Sequence, residues 1–328
     1  MAMSIEVFHS SVTDPYQNLA IEDWLYRTLP TGYRRLFLYT NRPCVVLGRH
    51  QNPWIECDLE GMLCDGVDLV RRQSGGGTVY HDYGNLNFCF IAEKNSYSQE
   101  ENFAIVLNAL QDMGIRGERS GRNDILVDGR KVSGSAFKVG KTVSFHHGTL
   151  LIESDLDLLM AYLSAAEQKL ESKGIASVRS VVANLQECNP QVNKEVMQDA
   201  LSRTFREFYG CKLTDSSDTL IAAEILDQDP QAAEFVSSLQ NWDWLYGKTP
   251  DFSLRLFAQQ SKKEFVVQVH RARIQEVSVA EDTSTSPSNL VEDEKTTARL
   301  TAALKGLEFT NAQDLLRQID SVRMEVST

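Results

Sequence analysis

The chain has 328 residues, 42% hydrophobic and 24% charged, enough apolar material for one large domain and a small one. Thirty-three Lys and Arg stand against 45 Asp and Glu, a net charge of −12, which excludes the basic footprint of a nucleic-acid binder but not a local phosphate pocket. The six cysteines are scattered without a CxxC, no apolar run approaches the ~18 residues of a membrane span, and Met1–Glu6 carries no secretory signal; these features point to a reducing compartment without disulfides, zinc or membrane.

Asp14-Pro15 reads as the cap and first turn of a helix. Leu19, Ala20, Trp24, Leu25 and Leu29 then recur at helical spacing until Pro30 and Gly32 stop it. Arg34–Tyr39 and Cys44–Leu47 read as strands about an Asn41-Arg42-Pro43 turn, and Val67–Val70 as a strand running into Ser74-Gly75-Gly76-Gly77. Val79 and Leu86–Ile91 resume extended structure, and Glu101–Met113 is an amphipathic helix. Ile125–Val127 and Lys131–Val132 flank Asp128-Gly129, which supplies the positive φ of a tight hairpin. Val143–Ile152 is a further strand, followed by helices near Asp155–Leu163 and Asn193–Phe208.

An aromatic cluster at Trp242, Trp244 and Tyr246, then Gly247 and Pro250, marks a domain end. The expected division is a catalytic domain over residues 1–246, a linker at 247–250 and an accessory domain over 251–328. Phe252–Phe257 and Phe265–Val269 read as strands, the polar Glu281–Glu294 with Pro287 as an exposed loop, and Lys295–Leu304 and Ala312–Ile319 as helices.

Three segments carry chemistry. In Arg71-Arg72-Gln73-Ser74-Gly75-Gly76-Gly77, three residues without Cβ leave a strand, so successive amides can converge on an anion. Strand alternation sends Arg71 and Arg72 to opposite faces, so one of them reaches the pocket. In Gly121–Ala136, Asn123 and Asp124 offer an amide and a carboxylate that suit an adenine edge or Mg²⁺. Lys131 follows the tight turn among small residues and is suited to offset charge on phosphoryl or acyl oxygens. In Phe145-His146-His147-Gly148-Thr149-Leu150 the adjacent histidines cannot ligate one ion from a strand; one belongs to the core and one to the pocket. Gly140-Lys141-Thr142 is not a P-loop, because Gly134 lies one residue too far upstream.

These segments, in this order, resemble the lipoate–protein ligase and lipoyltransferase family of the biotin/lipoyl ligase superfamily. Asn18-Leu19-Ala20-x-Glu22, Gly48-Arg49-x-Gln51-Asn52-Pro53-Trp54, Lys173-Gly174-Ile175-x-Ser177 and Trp242-x-Trp244 extend the likeness over nearly all of the first 250 residues. The resemblance implies an α/β (α+β) fold: a mixed, mostly antiparallel sheet flanked by helices, with a small α/β C-terminal domain. It implies activation of lipoate by ATP to lipoyl-AMP, then transfer to a lysine of acceptor lipoyl domains (2-oxoacid dehydrogenase E2 subunits, the glycine-cleavage H protein).

Under that resemblance Lys131 is catalytic. Arg72, Ser74, Gly75, Gly76 and Gly77 line the acyl–adenylate groove, His81 borders the acyl pocket, Asn123 and Asp124 serve the adenine or Mg²⁺ side, and Val79, Tyr80, Asn85, Arg122 and Ser133 join them in binding lipoyl-AMP. Thr149, Ile175, Ala176 and Ser177 close over the adenylate, and Asp124 is the candidate Mg²⁺ ligand. ATP and Mg²⁺ are needed and no tightly bound prosthetic group is. The expected enzyme is a monomer of the bacterial cytoplasm or, in a eukaryote, the mitochondrial matrix. The competing readings are a lipoyltransferase fed preformed lipoyl-AMP and a non-catalytic acyl-binding protein. An octanoyltransferase working through an acyl-cysteine is disfavoured, since no cysteine lies between Cys89 and Cys188.

Overall fold

The computed structural model describes residues 4–164, 170–172, 177, 180–211, 218–259, 262–280 and 287–324. They form two compact units. One comprises Met1–Arg49, Glu60–Leu163 and Ser177–Asn241; the other comprises His50–Leu59, Ser164–Ala176 and Trp242–Thr328.

The first unit is built on a six-stranded sheet in the order Ser135–Val139, Val143–Leu151, Asn85–Glu93, Tyr33–Tyr39, Ser4–Ser10 and Thr219–Ile221. Ser4–Ser10 runs parallel to both its neighbours and the other pairs are antiparallel, so the sheet is mixed as expected. Period-two alternation divides its side chains between two cores. Leu86, Phe88, Phe90 and Leu150 pack with helices Gln99–Asp112 and Lys194–Phe208 on one face. Phe37, Cys89, Ile91 and Phe145 pack with helix Pro15–Arg27 on the other.

Local chemistry sets the boundaries. Asp14 caps helix Pro15–Arg27 by accepting from the Tyr16 and Gln17 amides at 2.9 and 3.0 Å, and Pro15 sits where no amide is needed. Two small sheets complete the unit. Cys44–Leu47 lies between Asp68–Arg71, parallel, and Val79–His81, antiparallel. Glu118–Arg119, Ile125–Val127 and Arg130–Ser133 form the other. Its hairpin has Asp128 and Gly129 at φ 50° and 73°, the primed turn that Asp-Gly predicts.

In the second unit an antiparallel sheet of Leu170–Ser172, Phe252–Ala258, Lys263–His270 and Arg273–Val279 alternates buried and exposed side chains. Its core gathers Trp54, Phe252, Val267, Phe309 and Ile319. Of the loop expected over Glu281–Glu294, residues 281–286 lie outside the described residues and the rest is corrected, since a helix runs from Pro287 to Leu304. A polar composition does not by itself break a helix, proline is accommodated in a first turn, and Asp293 is anchored by Lys263.

Candidate functional site

Ser74–Gly77 links strand Asp68–Arg71 to strand Val79–His81, and Arg72 fastens it from inside. The buried guanidinium donates to Ser74 Oγ and Val46 O at 3.0 Å, and to Gly75 O and Gly77 O at 2.7 Å. With these carbonyls turned onto Arg72, the turn is held in one shape. Burial lowers the Arg72 pKa to about 10, so it remains a cation at neutral pH. Arg71 is directed to Gly48 O and Arg49 O, both at 3.1 Å. Gly76 has φ +86°, and a Cβ there would come within 3.1 Å of Arg72 Nη2 and 3.5 Å of Ala136 Cβ; glycine is required both by conformation and by space.

Lys131 projects from the hairpin, with Nζ 2.9 Å from Asp124 Oδ1 and its side chain 24% exposed. Its backbone is tied to residues 181 and 183: its N–H donates to Val181 O at 2.8 Å, and its carbonyl accepts from Ala183 N at 3.0 Å. The ammonium lies across Gly134, where an added Cβ would meet it at 3.1 Å. Thr149 fixes that glycine, accepting from Gly134 N at Oγ1 (3.1 Å) and donating its own N–H to Gly134 O (3.0 Å). A Cβ added at Gly134 would meet the Lys131 ammonium and one added at Gly76 would meet Ala136, so the Gly134–Ala136 stretch neighbours both the catalytic candidate and the glycine turn. Ser177 lies against the turn, its Oγ accepting from Thr78 N at 3.0 Å.

The remaining predicted residues sort by position. Val79 pairs with Val46, and Tyr80 is buried with its ring 5.6 Å from that of Tyr162. Arg122 is exposed, and Asn123, at φ 66°, accepts from Arg119 Nη2 at 2.7 Å. Asn123 thus shapes the 120–124 turn while its neighbour Asp124 meets Lys131. Ile175 and Ala176 lie outside the described residues.

His81 is buried, and burial followed by the nearby Arg72 charge lowers its pKa to about 3, so the ring is neutral. Asn18 Nδ2 donates to Asn41 Oδ1 at 2.8 Å, which leaves Asn41 Nδ2 to donate to His81 Nδ1 at 3.0 Å. That bond puts the ring proton on Nε2. Among the described residues, His81 Nε2, Asn85 Oδ1, Ser133 Oγ and Ser135 Oγ are buried without a hydrogen-bond partner. Among the described residues no three of His, Cys, Asp and Glu converge as a resident metal cage. Nucleotide-bound Mg²⁺ asks for only one or two carboxylates, a demand that Asp124 fits.

The adjacent histidines separate as strand alternation requires. His146 sits among Phe88, Phe90, Phe103 and Phe137, and burial lowers its pKa well below the ordinary histidine range. His147 turns to the other face, 2.6 Å from Ser74 Oγ and 3.0 Å from both Glu22 oxygens. Glu22 and Asn41 belong to this hydrogen-bonded site although their sequence context assigns them no chemical role. The signal for them is a Glu amid the apolar positions of a helix and an Asn that opens the Asn41-Arg42-Pro43 turn.

Residues 14–206, more than half of the chain, match the family model of the lipoyl protein ligase A/B catalytic domain. The chain is 46% identical over 255 residues to the lipoate-protein ligase A of Psychrobacter cryohalolentis, covering 76% of this chain and 75% of that protein. Among solved structures it is similar to Plasmodium falciparum LipL1 in complex with lipoate, with a TM-score of 0.69, 28% identity, and 98% and 99% of the two chains covered. It is also similar to a lipoate-protein ligase A bound with ATP, with a TM-score of 0.60, 25% identity, and 74% and 98% covered.

Proposed function

The chain belongs to the lipoyl protein ligase A/B catalytic-domain family and acts as a lipoate–protein ligase, and from that premise we propose how its cleft does the chemistry. The observation that carries the proposal is the convergence of Lys131 and Gly76 on Gly134–Ala136.

A carboxylate is a poor electrophile, so the lipoate oxygen first attacks the α-phosphate of ATP, forming lipoyl-AMP and releasing pyrophosphate. That displacement needs in-line positioning and positive charge around the phosphoryl oxygens. The amides of Gly75, Gly76 and Gly77 line the phosphate side, and Arg72 contributes by holding the turn and lending its buried charge at one remove. Lys131 supplies the ammonium, released from Asp124 as the phosphate arrives. Mg²⁺ would arrive with ATP and neutralise phosphate charge, with Asp124 as its candidate carboxylate.

In the second step the acceptor's lysine amine attacks the acyl carbonyl, AMP leaves, and the amine proton passes to solvent or the departing phosphate. Lys131 serves again by donating to the oxyanion. His81 and Asn85 border the acyl group, Val79 and Tyr80 line the groove, and Ser133 and Thr149 support the Lys131 floor. Arg122 and Asn123 border the adenylate, with Ser177 at the glycine turn.

The acceptors are lipoyl domains and the H protein, and the working form is a monomer. Residues 1–246 carry the chemistry, and 251–328 after the 247–250 linker form the larger part of an accessory domain whose compact unit also takes in His50–Leu59, Ser164–Ala176 and the chain from Trp242. No helix among the described residues is long and apolar enough to cross a membrane, and six free cysteines suit a reducing compartment, the bacterial cytoplasm or a mitochondrial matrix.

The test is intact-mass analysis of a lipoyl-domain acceptor incubated with the protein, Mg²⁺ and lipoate, with and without ATP. ATP-dependent addition of one lipoyl group is expected. Addition from preformed lipoyl-AMP alone, without pyrophosphate release from ATP and lipoate, would replace the ligase mechanism by transfer.

A further inference from the structure

We infer that Glu22 and His147 are positioning residues: with Ser74 they form a buried hydrogen-bond relay that holds the glycine turn in its phosphate-binding shape. The inference rests on the reading of that turn as the nucleotide cradle. Glu22, His147, Ser74 and Arg72 are 4%, 7%, 2% and 5% exposed, so water does not compete for their bonds.

The direction of each bond follows from the donors available. Arg72 has no acceptor, so its Nε–H donates to Ser74 Oγ at 3.0 Å. Ser74 then directs its own hydroxyl proton to His147 Nε2, 2.6 Å away. Nε2 can accept only if the ring carries its proton on Nδ1, and Nδ1 faces the Glu22 carboxylate at 3.0 Å to each oxygen. Glu22 therefore selects the tautomer that Ser74 requires. The relay runs one way, Arg72 to Ser74 to His147 to Glu22, and ends on an acceptor.

Its upper end reaches the cradle. The same Arg72 guanidinium that donates to Ser74 holds Gly75 O and Gly77 O at 2.7 Å. Ser74 is itself the first residue of the turn, and its carbonyl accepts from Arg49 N at 2.9 Å. Loss of Glu22 leaves the His147 ring free to present a proton to Ser74, which then faces donors from both sides and has nowhere to direct its hydroxyl. The consequence falls on the turn, hence on nucleotide binding, rather than on the chemical step at Lys131.

The experiment measures KM for ATP and kcat by pyrophosphate release at saturating lipoate. The enzymes are wild type, Glu22→Ala, Ser74→Ala, His147→Ala, His147→Gln and the double variant Glu22→Ala/Ser74→Ala. Each alanine variant is expected to raise KM for ATP about tenfold with kcat within about threefold of wild type, the scale of one charge-assisted bond. The double variant should match Ser74→Ala, because the relay is already cut there. His147→Gln, whose amide offers an acceptor and a donor in one plane, should recover most of the loss. Additive effects in the double variant, or a fall in kcat at constant KM, would overturn the relay. Should Glu22→Ala not fold, Ser74→Ala and His147→Gln decide by the same KM readout. A wild-type protein that releases no pyrophosphate sinks the parent reading instead; an active one whose Ser74→Ala variant keeps its KM sinks the relay alone.

Discussion

Lys131 Nζ and Asp124 Oδ1 stand 2.9 Å apart, with 24% and 14% of their side chains exposed. The pair is shielded enough to matter electrostatically yet open enough for an incoming phosphate to take the ammonium. Lys131→Ala removes the cation from both half-reactions. Pyrophosphate release and acceptor lipoylation should each fall about 10²–10³-fold, the usual cost of a lost oxyanion donor. The melting temperature should fall by a few degrees at most, because the pair is only partly shielded and the Asp124 carboxylate left behind still reaches solvent. Wild-type rates in the variant would remove Lys131 from the mechanism.

Asp124 keeps the ammonium aimed while the site waits. Asp124→Asn retains an acceptor oxygen and should lower kcat less than Asp124→Ala, for which about a tenfold loss is expected. Steady-state pyrophosphate release separates the two variants; equal losses would argue for a need for the charge itself.

Gly76→Ala places a side chain at φ +86°, 3.1 Å from the Arg72 guanidinium. The conformational cost is about 1–3 kcal/mol. A melting-temperature drop of a few degrees, with a larger proportional rise in KM for ATP, is expected. Unaltered ATP affinity would show that the turn does not cradle phosphate.

His81 is held neutral by burial, its pKa lowered from 6.5 to about 3. Between those values the unfolded chain binds a proton that the native protein refuses, so stability is full above about pH 6.5 and declines as pH falls toward 3. His146, lowered by its burial among aromatic rings, adds in the same direction. Urea midpoints measured from pH 7 to pH 4 should fall, and His81→Gln should flatten that limb. An unchanged slope would mean that His81 is not buried neutral.

What the sequence discloses is mostly local. Asp128-Gly129 and the triple glycine declare themselves because positive φ and missing Cβ atoms are properties of single residues. The division of labour between His146 and His147 follows from strand alternation alone. Partnerships across the sheet do not follow from it: His147 meets Ser74 73 residues away and Glu22 125 residues away, through a strand order that no local pattern specifies. The same limit hid the role of Arg72. A guanidinium beside glycines suggests a phosphate ligand, and only the fold reveals that it faces the turn's own carbonyls. Helix Pro287–Leu304 was obscured for another reason, since its polar start reads by composition as loop.

The most direct measurement is a crystal structure with a non-hydrolysable lipoyl-adenylate analogue. The phosphoryl group should lie against the Gly75–Gly77 amides, with Lys131 Nζ moved off Asp124 to within about 3 Å of a phosphoryl or carbonyl oxygen. An analogue bound elsewhere, with Lys131 still paired to Asp124, would contradict the account.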